Sequence, residues 1–272
     1  MPVGTAHHPG YLRAPRIRVP PSKDEPTAAA LGPFEPWDFE ALADGRCRSA
    51  EYNDHRLRAR RRLLAMAKEV AKRSKAADLP LEPRTSIHNP HQFNGNRVSR
   101  LWAYLVRPKA AKTKLKRVLG ADLAKDLDQA YKNLYLCIAV EHGALEVSLR
   151  IHPDAWYDGQ NLVRRTKAEG PEGWLQVLNT LDGFRLGLAD WKGEWRCGSL
   201  TLEQVEEYLR HYTPGEHQLV LERRWPVPTD PAAREAVLTE EVPGILMDEV
   251  LRLVPAFRYM AWSSESDYLF GG

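Results

Sequence analysis

Residues 134–152 constrain the fold more tightly than any other stretch. His142-Gly143 reads as a two-residue turn, with Gly143 supplying a positive φ. Folding the chain about it sets Val140 opposite Leu145, Ile138 opposite Val147, Leu136 opposite Leu149 and Leu134 opposite Ile151. Every pair on that face is apolar. The other face sets Tyr135 against Arg150, Cys137 against Ser148 and Ala139 against Glu146. A one-residue slip would turn each side chain to the wrong face, so the register is well specified.

The rest of the apolar pattern supplies the layer that such a hairpin needs. Residues 51–75 contain no Gly or Pro, and Leu57, Leu63, Leu64, Ala67, Val70 and Ala71 make one apolar stripe, which predicts a single helix. Arg73, Lys68, Lys72 and Lys75 surround that stripe together with the arginines of 56–62. Residues 84–89 and 97–107 read as strands, the second covered on both faces. Pro108 at a first helical position and Leu115, Leu119, Leu123, Leu127 and Tyr131 at every fourth residue predict a helix over 109–132. Residues 160–181 give one or two helices, broken at Gly170-Pro171. A second hairpin over 184–190 and 194–199 turns near Lys192-Gly193. Thr201 and Gln204 form a capping box for a helix through Tyr212, and 217–225 is a further strand. Asp230-Pro231 opens a helix that Pro243 restarts through Val254.

The expected fold is therefore α+β: a largely antiparallel sheet of about seven strands with helices packed on one face. Residues 1–36 hold eight prolines and read as an extended tail. Residues 37–261 form a single α+β domain, entered through the basic helix 51–75, and 262–272 form a flexible C-terminal tail ending in Gly271-Gly272.

Several classes of function are disfavoured. The longest strongly apolar run, 136–140, is far short of the roughly 20 residues that span a bilayer, so no membrane partner is expected. Cys47, Cys137 and Cys197 are odd in number and widely spaced, which fits a reducing, cytoplasmic setting better than a disulfide framework. No phosphate-binding glycine loop, nucleophile elbow, HExxH or CxxC motif occurs, and the sequence names no cofactor.

Charge is distributed unevenly. Residues 1–117 carry 24 Lys/Arg and 11 Asp/Glu, a net of +13, whereas 118–272 carry 15 and 25, a net of −10. The positive charge concentrates at Arg56, Arg58, Arg60, Arg61 and Arg62, and at Lys109, Lys112, Lys114, Lys116 and Arg117. Phosphate neutralisation needs such sequence-independent charge, and arginine favours bidentate phosphate contacts. The competing partner is an acidic protein surface, this chain's own second half included.

Two further groups could do chemistry. The segment 85–97 joins two predicted strands and offers His88, Asn89, His91, Gln92, Asn94 and Arg97 as ligand-binding groups. His88 and His91 are candidate metal ligands, although a third ligand must come from elsewhere. On the hairpin's polar face, Glu146, His152 and Asp154 are candidate catalytic groups, with Arg150 as an anion clamp. A solvated sheet face has the same alternation. Trp156, Tyr157, Trp191 and Trp195 lie near basic residues and are candidates either for base stacking or for the core.

The leading expectation is a nucleic-acid- or polyanion-binding accessory protein within a larger complex, contacting other subunits through residues 1–36 and its acidic half. One alternative is a metal-assisted hydrolase built from the His88/His91 loop and the Glu146/His152 face. Another is a structural subunit with a threading N-terminal tail. The sequence leaves open whether the chain is an enzyme.

Overall fold

The computed structural model of the protein describes residues 32–120, 131–188 and 195–270. Its strands are β1 (Glu82–Thr85), β2 (Arg100–Val106), β3 (Leu134–Glu141), β4 (Ala144–Ile151), β5 (Arg185–Leu188), β6 (Trp195–Arg196) and β7 (Leu219–Pro226). Its helices are α1 (Pro36–Glu40), α2 (Asn53–Ala76), α3 (Lys109–Leu119), α4 (Trp156–Glu169), α5 (Glu172–Asn179), α6 (Leu202–His211), α7 (Pro231–Val237), α8 (Val242–Arg252) and α9 (Val254–Met260). The strands form one antiparallel sheet in the order β1-β2-β3-β4-β7-β5-β6.

The hairpin β3–β4 pairs residue for residue as its sequence dictates, from Leu134 opposite Ile151 to Val140 opposite Leu145. One detail differs. Gly143 does not adopt a left-handed φ, and its carbonyl accepts from Val227 N–H at 2.9 Å. The apolar face of the hairpin, with Leu101, Ala103 and Leu105 of β2 and Leu219 and Leu221 of β7, is buried under helices. α2 lies over β1 and β2, α8 over β3 and β4, and α9 over β3. α6 is closed at its start by the expected capping box: Gln204 N–H donates to Thr201 Oγ1, and Thr201 N–H donates to Gln204 Oε1.

The opposite face carries a small second cluster of Trp102, Tyr104, Val106, Tyr135, Cys137 and Ala139, which accounts for apolar residues on both sides of β2. The ends of the elements move more than their identities. The strand expected over 84–89 is β1, which stops at Thr85, and Asn89-Pro90 falls in a loop. α9 is an additional helix beyond the one expected to run through Val254; Pro255 sits in its first turn and restarts the chain there. Residues 262–270 are packed rather than flexible: Trp262 and Leu269 are buried, and Tyr268 N–H donates to Asn161 Oδ1 at 3.0 Å. The tail expected over 1–36 lies outside the described residues up to position 31, as do the second part of the helix expected over 109–132 and the Lys192-Gly193 turn with Trp191.

A buried ion pair locks this end of the molecule. The guanidinium of Arg107, just past β2, is paired in bidentate fashion with Asp158 on α4 and also donates to the Trp262 carbonyl at 3.2 Å. Asp158 in turn accepts from Trp262 N–H at 2.9 Å. Burial works against the charge on Arg107, and the Asp158 carboxylate more than restores it, raising the pKa. We predict that Asp158→Ala lowers unfolding free energy by about 3–5 kcal/mol, because it strands a buried guanidinium. Replacing both partners with apolar residues, Arg107→Met with Asp158→Leu, should recover most of that loss. Urea unfolding checks this; a single-variant loss below about 1 kcal/mol would contradict it.

Candidate polyanion interface

α2 owes its orientation to its apolar side. Ala59, Leu63, Met66, Ala67 and Val70 are buried and recur at three- and four-residue spacing, facing the sheet. At about 100° per residue, Arg58, Arg61, Lys68, Lys72 and Lys75 fall within one arc of about 100° on the far side. All five are exposed. From Arg58 to Lys75 the row is about 25 Å long at 1.5 Å per residue.

The dense arginine cluster does not behave as a unit. Arg56 falls on the Leu63 side and is fully buried. It is therefore not the surface contact that the sequence suggests. Its guanidinium donates to the carbonyls of Ala41 at 3.2 Å, Arg46 at 3.1 Å and Ser49, and to Asn53 Oδ1 at 2.7 Å. This ties residues 41–49 to the helix, and burial lowers the Arg56 pKa. Arg62 is also turned aside, paired with Asp38 and Glu35. Arg60 donates to Thr85 Oγ1 at 2.8 Å and braces β1. Arg58 approaches His55 Nδ1 at 2.7 Å and Arg61 points into solvent.

α3 divides in the same way. Lys112 is buried on the side of Leu115 and Leu119, against the expectation of a contact residue, while Lys109, Lys114 and Arg117 are exposed and Lys116 is half-buried. Lys68, Lys72 and Lys75 are exposed on the same arc as Arg58 and Arg61, which arginine density overlooks; their signal is the helical spacing, with Lys68 seven residues after Arg61 and the lysines four and three apart.

The 85–97 loop is a built knuckle. Asn94 organises it: its Oδ1 accepts from His91 N–H at 2.8 Å and Arg97 N–H at 3.3 Å, and its Nδ2 donates to the Asn89 carbonyl at 2.9 Å. Gly95, at φ +63°, and Asn96, at φ +53°, turn the chain through left-handed conformations. His91 Nδ1 accepts from Phe93 N–H, and the two rings stack with centroids 4.8 Å apart. Gln92 is exposed and Arg97 pairs with Asp44 at 3.0 Å. His88 is half-buried, and its pKa is lowered first by burial and then by the charges of Arg60, Arg56 and Arg61. Among the described residues, no three His, Cys, Asp or Glu side chains come together to hold a metal ion.

The polar sheet face is an ion network. Glu146, with a side chain only 1% exposed, accepts from Arg100 at 2.8 Å, Arg150 at 2.8 Å, Arg224 at 2.6 Å and Ser148 Oγ at 2.7 Å. Arg150 also reaches Glu222 at 3.1 Å, and Arg224 reaches Glu141 at 2.5 Å. Burial raises a carboxyl pKa, but Arg100 and Arg150, with the hydrogen bonds from Ser148 and Arg150, reverse this and hold Glu146 at about 2. Such a carboxylate is a poor proton acceptor near neutral pH. Arg150, expected as an anion clamp, spends its donors on Glu146, Glu222 and Ser148. His152 is six residues further on, roughly 20 Å along an extended chain. Its Nδ1 caps the turn at 153–155 by accepting from Asp154 N–H at 3.1 Å, and Asp154 pairs with Lys132 at 2.6 Å. Glu146 is thus brought to arginines rather than to histidines. Of the aromatic candidates, Trp195 and Tyr157 are buried and Trp156 is half-buried.

No protein-family model matches the sequence, and none of the curated proteins is detectably similar to it.

The Glu146 network predicts a pH effect. Its folded value, about 2, lies below its ordinary value of 4.5. Its stabilisation is therefore complete above about pH 5 and is lost as the pH falls toward about 2. A depression of this size is worth about 3 kcal/mol. The stability advantage of wild type over Glu146→Gln should shrink by about that amount between about pH 6 and pH 2, in urea unfolding at a series of pH values. An advantage independent of pH would contradict the prediction.

Proposed function

We propose that the protein binds a polyanion, nucleic acid above all, through the outer face of α2. The observation that carries this reading is the row Arg58, Arg61, Lys68, Lys72 and Lys75, in which no member forms an ion pair among the described residues. Like charges three and four residues apart on a helix repel and weaken it by a few tenths of a kcal/mol per pair, about 0.2–0.5. An unpaired row carrying that cost is complementary to an anionic partner. The chain's own acidic half is a weak competitor for it. Among the described residues, that half packs on α2 through α8 and forms its ion pair with the helix through Asp248, which meets Arg73 on the flank of the row at 2.7 Å. Exposed Glu203, Glu206, Glu235, Glu240 and Glu241 of the same half remain available for protein partners in an assembly.

The hydrolase reading draws less support, because Glu146 is committed to three arginines and the candidate metal ligands His88 and His91 lack a third ligand among the described residues.

Fluorescence anisotropy with a labelled oligonucleotide across a salt series tests the proposal. Affinity should fall linearly with log salt, by about 0.7–0.9 per phosphate neutralised. The triple reversal Arg61→Glu, Lys68→Glu, Lys72→Glu should weaken binding at least about tenfold and reduce the slope by about 2 or more, with thermal stability kept. Unchanged affinity in the variant, or affinity that does not vary with salt, would overturn the proposal.

A further inference from the structure

We infer that the polyanion is single-stranded nucleic acid and that Phe93 is the point at which an unpaired base stacks. This rests on the polyanion reading above and narrows it. Phe93 is 81% exposed, more than any other large apolar side chain of the described residues. An isolated exposed aromatic is ordinary on a flexible loop, but this one is held in place. Its own N–H is bonded to His91 Nδ1, and the His91 ring lies against it at 4.8 Å. Asn94 braces both sides of the knuckle through His91, Asn89 and Arg97, and Asn96 N–H donates to the His91 carbonyl at 2.8 Å. A ring fixed in this way loses little freedom when a second flat group packs on it.

The surroundings favour a base over an apolar protein pocket. His88 of the same loop lies within electrostatic reach of Arg60, Arg56 and Arg61, of which Arg61 belongs to the outer row, so the start of the loop lies along α2 near that end of the row. Arg60 fixes that proximity by its bond to Thr85, at the end of the strand that feeds the loop. No Asp or Glu occurs in the sequence between Glu82 and Asp122; of the loop's flanking arginines, Arg97 is met by Asp44 and Arg84 by Glu82, so the cationic track beside the ring is that of α2. An aromatic ring beside a cationic track is the arrangement by which single strands are bound without sequence preference: phosphates follow the charges and bases stack on the ring. A duplex offers no free base face unless a step is first unstacked.

The test uses the full chain and anisotropy on labelled oligouridine and oligothymidine of roughly 15 nucleotides. A duplex of matching length and heparin serve as the other ligands. Wild type should bind the single strands more tightly than the duplex. Phe93→Ala should weaken single-strand binding by about tenfold or more while heparin affinity stays unchanged. Phe93→Trp should keep wild-type affinity. The side chain is exposed, so melting curves of the variants should superpose on that of wild type. If Phe93→Ala binds single strands as wild type does, the inference fails, although salt-dependent heparin binding would leave the polyanion reading standing. An equal loss on the duplex and heparin would overturn it too. If wild type binds none of these ligands, both readings fall.

Discussion

The sheet has one continuous apolar face, and burying it dictates how the helices are placed and which of their residues meet solvent. The β3–β4 register gathers Leu134, Leu136, Ile138, Val140, Leu145, Val147, Leu149 and Ile151 on a single face. Burying that face requires helices, and each helix can meet it only through its own apolar stripe. For α2 the stripe is Ala59, Leu63, Met66, Ala67 and Val70. Once these are against β1 and β2, the direction of every other α2 side chain is fixed. Arg58, Arg61, Lys68, Lys72 and Lys75 then point outward by geometry alone.

The protein's arginines do two different jobs. Arg56, Arg62, Arg107 and Arg150 work inside the fold, where a planar guanidinium can satisfy several carbonyls or carboxylates together. Glu146 is the counterpart on the sheet: one buried carboxylate joins Arg100 of β2, Arg150 of β4 and Arg224 of β7. These pairs take part of the positive charge of the first half out of any binding surface. What remains on the outer face of α2 is richer in lysine, whose compact ammonium suits sequence-independent phosphate contact.

The local parts of this design are legible in the sequence. The hairpin pairing, the capping box at Thr201 and the extent of α2 follow from patterns that neighbouring residues carry. Arginine density is a weaker guide. Five arginines in seven residues must wrap around a helix, so Arg56 and Arg62 turn inward while the row continues through lysines further along. Glu146 reads as one polar residue on an alternating strand. Its role depends on Arg100 and Arg224, which are remote in sequence and become neighbours only through strand order. The packing of 262–270 is hidden for the same reason: the groups that anchor it, Asp158 and Asn161, lie about a hundred residues earlier, with separations of 104 and 107.

On the proposal above, a nucleic acid covers the outer face of α2. Lysine acetylation footprinting, read by mass spectrometry with and without an oligonucleotide, addresses it directly. Coverage of that face predicts that Lys68, Lys72 and Lys75 lose reactivity in the complex while Lys167, on α4, keeps it. A complex that forms and leaves all three α2 lysines as reactive as in the free protein would contradict that proposal.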